Sequence, residues 1–127
     1  MSYQTSDVNG TDYAKGKIDL VISLIVDRME EDINRCIEKE FPEQSVLGML
    51  VCLRLIGERF PQNLSLYFGR RNLEEAKTKF YKWYELVHKK IPAKFRQEVK
   101  EVAEKEFDLF YDKFVKNKIK GFEIIEE

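Results

Sequence analysis

The stretch from Arg70 to Lys100 combines positive charge with closely spaced aromatic rings, a pattern typical of nucleic-acid-binding surfaces. Lysine and arginine neutralise phosphates, and exposed aromatic faces stack on unpaired bases. Because Phe80, Trp83 and Tyr84 fall on one helical stripe, we expect these rings to face the core. The candidate polyanion or nucleic-acid face comprises Arg70, Arg71, Lys79, Tyr81, Lys82 and Lys90. The alternative interpretation is a lysine-rich helix face that only interacts with solvent.

Glu85 and His88 are three positions apart, the spacing that di-iron carboxylate bundles use for one pair of metal ligands. Such a centre requires two of these pairs and two further glutamates, and His88 is the only histidine of the chain. A symmetric dimer could supply the second pair. The simpler interpretation is a surface histidine beside Lys89 and Lys90, and we predict neither a metal site nor a cofactor.

The two cysteines, Cys36 and Cys52, each fall within an apolar helical pattern. We therefore predict two packed core thiols, with a disulfide that joins two helices as the alternative. Their spacing does not fit a zinc site, and their surroundings do not indicate an activated nucleophile. Residues 1–17 lack the apolar segment of a secretory signal, so we expect a cytoplasmic (intracellular) protein with reduced thiols.

Other catalytic arrangements find little support in the residue types. A Ser-His-Asp or Cys-His arrangement would depend on His88 alone, and no glycine-rich loop precedes a helix to cradle phosphate. The apolar run Ile18–Val26 is much shorter than the ~20 residues that a membrane-spanning helix needs. The net charge is −1, although positive charge is concentrated between residues 61 and 100. We predict a protein that is not an enzyme and does not enter a membrane.

The elements that position these residues are predicted to be helices. Among 127 residues, 43% are hydrophobic, and glycine and proline number only 6 and 3, which favours long helices around a core. Apolar residues also recur at steps of three and four. The sequence predicts an all-α protein, a compact bundle of about four main helices at roughly 13–39, 43–59, 73–90 and 93–118, with a short helical turn near 62–68. One helical domain spans 13–121, between a flexible N-terminus at 1–12 and a C-terminal tail at 122–127.

Local signals suggest where these helices begin and end. Pro42 ends the first helix and can open the second, because the residue before a proline avoids the α conformation. Asn72 followed by Glu75 resembles a capping box at the start of the helix predicted from residue 73. Gly48 and Gly57 lie inside the second helix, where we expect both to allow another helix to pack closely.

The second predicted helix is apolar on nearly every side, which indicates either the centre of the bundle or an interface. Further apolar residues lie outside the main stripes and form a candidate interface of Tyr67, Phe68, Phe122, Ile124 and Ile125. We therefore predict a non-catalytic helical protein–protein interaction module that binds a partner protein or a second copy of itself. The alternative prediction is a small protein that binds RNA or single-stranded DNA through the basic face.

Overall fold

A computed structural model describes residues 12–116, and it confirms the all-α prediction. Within this range the elements are α1 (Asp12–Lys39), α2 (Val46–Arg59), α3 (Pro61–Ser65), α4 (Arg70–Val87) and α5 (Ala93–Phe110). A 3-10 turn (His88–Lys90) follows α4, and a π-helical segment (Tyr111–Lys116) continues from α5. No strand occurs between residues 12 and 116. Most of the predicted flexible N-terminus, and the whole predicted tail at 122–127, lie outside the described residues.

The longest element is α1, which reaches about 42 Å at the usual helical rise and packs against α2, α3 and α4. Its buried side chains Ile22, Met29, Ile33 and Cys36 recur at the steps of three, four and seven that define one helix face. This stripe meets the aliphatic and aromatic stripes of the shorter helices. The local periodicity of α1 therefore determines which of its sides faces the core.

The turn between α1 and α2 differs from the prediction that Pro42 opens the second helix. The backbone reverses at Glu40, whose φ of 52° lies in the left-handed region, and α2 begins only at Val46. Asp32 of α1 accepts hydrogen bonds from both the backbone N–H and the hydroxyl group of Ser45. These contacts hold Ser45 in place immediately before the helix, so a side chain on α1 fixes the start of α2.

The same turn is also held from α4. The indole Nε1 of Trp83 donates a hydrogen bond of 2.6 Å to the backbone oxygen of Phe41. The ammonium group of Lys90 donates one of 2.8 Å to the backbone oxygen of Glu40. Buried and partly buried polar groups need such partners, and here the partners come from about 40 to 50 residues later in the chain.

The predicted turn near 62–68 forms α3, followed by a short irregular segment. The next helix, α4, begins at Arg70 rather than at residue 73. The reason is the position of Asn72, whose side-chain oxygen accepts a hydrogen bond of 3.0 Å from the backbone N–H of Gly69. Asn72 therefore reaches back from the first turn of the helix, and the prediction that it caps the helix from outside is wrong.

The turn between α4 and α5 is held by the guanidinium group of Arg96. It donates hydrogen bonds to the backbone oxygens of His88, Lys89 and Ile91 at 2.7, 3.2 and 3.0 Å. Carbonyl groups at a helix C-terminus lack helical partners, and a cation there also interacts favourably with the helix dipole. The hydroxyl group of Tyr84 donates to the backbone oxygen of Arg96 in return, at 3.0 Å.

Aromatic side chains fill the core between α3, α4 and the C-terminal part of the described chain. The Phe110 ring lies 5.2 Å from that of Phe68 and 4.9 Å from that of Phe114. The helix predicted at 93–118 is α-helical to Phe110 and then widens into the π-helical segment. Phe114 and Val115, which are consecutive in this segment, are both buried. Residues 117 and 118 lie outside the described range.

The two glycines of α2 differ in their surroundings. A Cβ atom on Gly57 would overlap Leu64 and would lie 2.9 Å from Cζ of Phe114, so the predicted close approach is confirmed there. No atom beyond its own chain neighbours and helix backbone lies within 4 Å of the Cβ position of Gly48. The prediction is wrong for Gly48, which lies on an exposed side of α2.

Candidate interaction face

The basic residues at the start of α4 alternate with acidic residues. Arg70 Nε lies 3.2 Å from a carboxylate oxygen of Glu74, and Lys79 Nζ lies 3.1 Å from one of Glu75. Each of these pairs is one helical turn apart, a spacing that lets opposite charges meet on a helix surface. The surface of α4 therefore carries both signs of charge, and Arg70 and Lys79 of the predicted polyanion face have carboxylate partners.

The other basic residues of that predicted face are spread along α4 and beyond it. Arg71 and Lys82 are exposed, three helical turns apart, and the acidic residue Glu85 is exposed on the same helix. The Lys90 ammonium group is engaged by the backbone oxygen of Glu40. The structure thus spreads these cations along α4 and the turn that follows it.

Tyr81, the aromatic member of the predicted polyanion face, is half-buried against the core. Its ring meets that of Phe80 edge to face at 5.9 Å. Burial raises the pKa of the Tyr81 hydroxyl, and the negative charges of Glu104 and Asp108 on α5 raise it further. The phenol therefore stays protonated at neutral pH, and only part of the ring is open to a ligand.

The candidate interface residues predicted from the sequence have different positions. Tyr67 is on the surface, 37% exposed. Phe68 is a correction: it is 1% exposed, because the short segment after α3 turns its ring inward against Phe110. The remaining predicted interface residues, Phe122, Ile124 and Ile125, lie outside the described residues.

The two cysteines are both free, and they differ in burial. Cys36 is a core thiol as predicted, 2% exposed, and its Sγ donates to the backbone oxygen of Glu43 at 3.2 Å. Burial raises the pKa of the Cys36 thiol, and the nearby Asp32 carboxylate raises it further. Cys52 is exposed, so the prediction of a second core thiol is wrong. It lies on the side of α2 that α1 and α5 leave uncovered.

The Glu85–His88 pair does not approach a metal-binding geometry. The imidazole Nδ1 of His88 lies 3.1 Å from the backbone oxygen of Glu85, and the ring stacks on Tyr84 with centroids 5.7 Å apart. Between residues 12 and 116 no three histidine, cysteine, aspartate or glutamate side chains cluster in a way that could hold a metal ion.

Exposed apolar side chains lie on α1, α2 and α5, three helices that pack with α2 in the middle. On α2, Gly48, Cys52 and Leu55 are exposed at steps of four and three, which places them on one side of the helix. Leu55 is 55% exposed in the middle of an otherwise apolar helix. Exposed aliphatic residues of the neighbouring helices border this stripe. We name the whole surface the α2 face, and its members are Val21, Leu24, Gly48, Cys52, Leu55, Val102 and Leu109.

The α1 side of this face is fixed by the antiparallel packing of α1 and α2. Asp32 contacts Ser45 at one end of the pair, and Val21 and Ile56 line one groove at the other end. Leu24 follows Val21 by three residues, so it lies on the same side of α1. The two side chains are 47% and 58% exposed.

The α5 side is fixed by ion pairs that run across the seam with α2. Arg54 lies 3.6 Å from Glu106, and Lys113 lies 3.3 Å from Glu58, so α2 and α5 are parallel. Val102 and Leu109 are four residues before and three after Glu106, and they therefore share its side of α5. Both are exposed, 46% and 40%.

At one end of the α2 face is a groove of about 210 Å³ between α1 and α2. Its lining residues are Lys17, Ile18, Val21, Ile56 and Phe60. Aliphatic and aromatic carbons provide nearly all of this lining, so the groove suits an apolar side chain better than a charged ligand.

Sequence reasoning identified the apolar excess of the second helix but not the side that remains exposed. Gly48, Cys52 and Leu55 have the i, i+4, i+7 spacing of one helix side. The outer side of a surface helix usually carries charged residues, so these three residues were a usable signal of an exposed apolar side. The seven-residue step from Val102 to Leu109 was a second one. Neither signal shows whether a neighbouring helix covers these residues, because that depends on how the helices pack.

No helix among the described residues is both long enough and apolar enough to cross a membrane. In comparisons with known proteins, no family model, no curated protein and no solved structure matches this chain.

Proposed function

We propose that this protein is a non-catalytic helical module that binds another protein through the α2 face. The observation that carries the proposal is a set of half-exposed aliphatic side chains contributed by three different helices. Isolated exposed hydrophobic residues are ordinary on protein surfaces, whereas contiguous apolar patches usually mark interaction sites. Val21, Leu24, Leu55, Val102 and Leu109 are each at least 40% exposed, and they lie on three helices that pack with α2 in the middle.

The energetics of this face favour association. Complete burial of a valine or leucine side chain is worth about 1.5–3 kcal/mol, so roughly 1 kcal/mol remains to be gained from each half-exposed one. The outer stripe of α2 has few polar atoms to desolvate. Because Gly48 has no side chain, a partner can approach the helix backbone closely.

The charged residues beside the face contribute differently. Arg54 and Glu106, whose side chains are about 20% exposed, connect α2 to α5 within the molecule. Their interaction joins α2, which carries Leu55, to α5, which carries Leu109. We therefore assign these ionisable groups a role in positioning the face and no role in catalysis.

The nucleic-acid alternative remains a prediction, and the structure adds no observation in its favour. Carboxylates lie beside Arg70 and Lys79, and Tyr81 is half-buried. A phosphate backbone would have to compete with these carboxylates for the cations.

A photo-crosslinking amino acid at position 55 tests the proposed function in cells that express the full chain. The matched control places the same amino acid at Thr78, which is exposed on α4, away from the α2 face. We expect a discrete protein adduct after irradiation from position 55 and none from position 78. No adduct from position 55, or equal adducts from both positions, would overturn the proposal.

A further inference from the structure

We infer that the α2 face binds a second copy of this chain, with the two α2 helices antiparallel across a two-fold axis near Val51 and Cys52. This inference rests on the proposed function and names the partner. Three features of the face point to it: the placement of its small and large residues, the charges at its two ends, and its extent over neighbouring helices.

The first feature is the placement of Gly48 and Leu55, a small and a large residue that lie equally far from the centre of the exposed side of α2, on opposite sides of that centre. In a two-fold interface the same patch meets itself, so each residue is paired with the residue at the mirrored position. An axis between Val51 and Cys52 brings Leu55 of one copy opposite Gly48 of the other. Leu55 projects from the surface, 55% exposed, and the space at the Gly48 Cβ position is open. Under this symmetry the Leu55 side chain of each copy therefore fits the open space above Gly48 of the other copy.

The second feature is opposite charge at opposite ends of the stripe. Glu43 precedes α2, and Arg59 ends it; both are exposed. The guanidinium group of Arg59 also lies over the ring of Phe60, 5.7 Å from its centroid. The antiparallel arrangement brings Arg59 of each copy next to Glu43 of the other. A parallel arrangement would instead place like charges together, and the two helix dipoles, pointing the same way side by side, would repel each other. The charges therefore favour the antiparallel orientation.

The third feature is the extent of the apolar surface beyond α2. A stable interface buries roughly 800 Å² on each partner, more than one short helix stripe can supply. Leu24 of α1 and Val102 of α5 flank the stripe on its two sides and are about half exposed. A second copy that crosses α2 would cover both flanks as well, which a single peptide strand would not do.

Sedimentation velocity of the purified full chain over a concentration series tests this inference. We expect a reversible dimer. Leu55→Glu should weaken dimerisation on the order of 100-fold, because two carboxylates would be buried in an apolar contact. Leu86→Glu is the matched control, since Leu86 is 43% exposed on α4, outside the α2 face, and should leave the dimer unchanged. Circular dichroism checks that each variant is folded, and Leu55→Ala provides a milder substitution.

A charge exchange tests the orientation of the two helices. Arg59→Glu should weaken the dimer about 5- to 10-fold, and Arg59→Glu combined with Glu43→Arg should restore it. In a parallel arrangement position 59 would face position 59 and position 43 would face position 43, so Arg59→Glu would replace one like-charge pair by another and would not weaken the dimer. Failure of this rescue would therefore overturn the antiparallel geometry.

Cys52 reports on the axis directly. A short bis-maleimide reagent should join two copies through Cys52, and Cys52→Ser should abolish the product. A chain that stays monomeric at all concentrations and forms no Cys52 product overturns the self-association. The photo-adduct at position 55 then separates the two proposals: an adduct with a different protein leaves the proposed function standing, and no adduct removes both.

Discussion

The Asp32 carboxylate accepts hydrogen bonds from the backbone N–H and the hydroxyl group of Ser45, at 3.0 and 2.7 Å, across 13 positions of sequence. Arg35 donates a third hydrogen bond to the same carboxylate, also at 3.0 Å. Burial of Asp32 opposes its ionisation, but these hydrogen bonds outweigh that effect and hold the pKa of Asp32 below its usual value of 3.8. The ionised carboxylate thus joins the middle of α1 to the start of α2.

The first prediction concerns the pH dependence of this contact. A carboxyl group whose pKa is lower in the folded state stabilises the fold above its usual pKa, and this contribution is lost as the pH falls through the folded-state pKa. Asp32→Asn should therefore lower the free energy of unfolding by about 1–2 kcal/mol at pH 7. The difference between wild type and variant should shrink as the pH falls below about 4.

Urea unfolding at pH 7 and pH 3 measures the difference in unfolding free energy between wild type and Asp32→Asn at each pH. Asp27→Asn is the control, since Asp27 is exposed on the same helix. An Asp32→Asn effect that is equally large at pH 3 would show that the ionised form is not responsible.

The second prediction compares the two glycines of α2. Gly57→Ala should destabilise the protein by about 1–3 kcal/mol, because the added methyl group meets Leu64 and Phe114 in a packed core. Gly48→Ala should stabilise the monomer by up to about 1 kcal/mol, because alanine favours the helix and the space is open.

Thermal unfolding at low protein concentration, where the chain is monomeric, measures the effect of each substitution on the stability of the monomer alone. At higher concentration Gly48→Ala should also weaken the proposed dimer, because the methyl group fills the gap that faces Leu55 of the other copy. Equal destabilisation by both substitutions would contradict the structural difference between the two sites.

The third prediction concerns thiol reactivity. Cys52 should react with iodoacetamide at the rate of an exposed thiol, and Cys36 should react at least on the order of 100-fold more slowly. Cys36 is buried, its pKa is raised, and its Sγ already donates to the backbone of Glu43. Mass spectrometry of the intact protein follows the two rates, and Cys52→Ser isolates the slow one. Fast double labelling of the folded protein would contradict the burial of Cys36.

The fourth prediction tests the nucleic-acid alternative. We expect no saturable binding of labelled mixed-sequence RNA or single-stranded DNA at near-physiological salt. Saturable binding that weakens steeply with salt would instead indicate several phosphate contacts. In that case Lys79→Glu combined with Lys82→Glu should weaken binding to all sequences alike if the predicted face is responsible. Lys105→Glu combined with Lys116→Glu makes the same change of net charge at exposed residues outside the predicted face and serves as the control.

The sequence by itself determined the class of fold and the buried stripes of the long helices. Ile22, Met29 and Ile33 on α1, and Phe80, Trp83 and Val87 on α4, repeat at helical steps, and all six are buried. Such periodicity is local, because an amphipathic helix has only one side on which it can bury its apolar side chains.

Packing between helices decided which of the residues in apolar helical stretches are covered, which the local pattern does not determine. Cys36 and Cys52 both lie in apolar helical stretches, and so do Gly48 and Gly57. One member of each pair is covered by a neighbouring helix or ring, and the other is exposed. Likewise, α2 starts at Val46 rather than at Pro42 because Asp32, on another helix, holds Ser45. The sequence shows which residues prefer to be buried, but the arrangement of the helices decides which of them are covered, and so leaves the α2 face open.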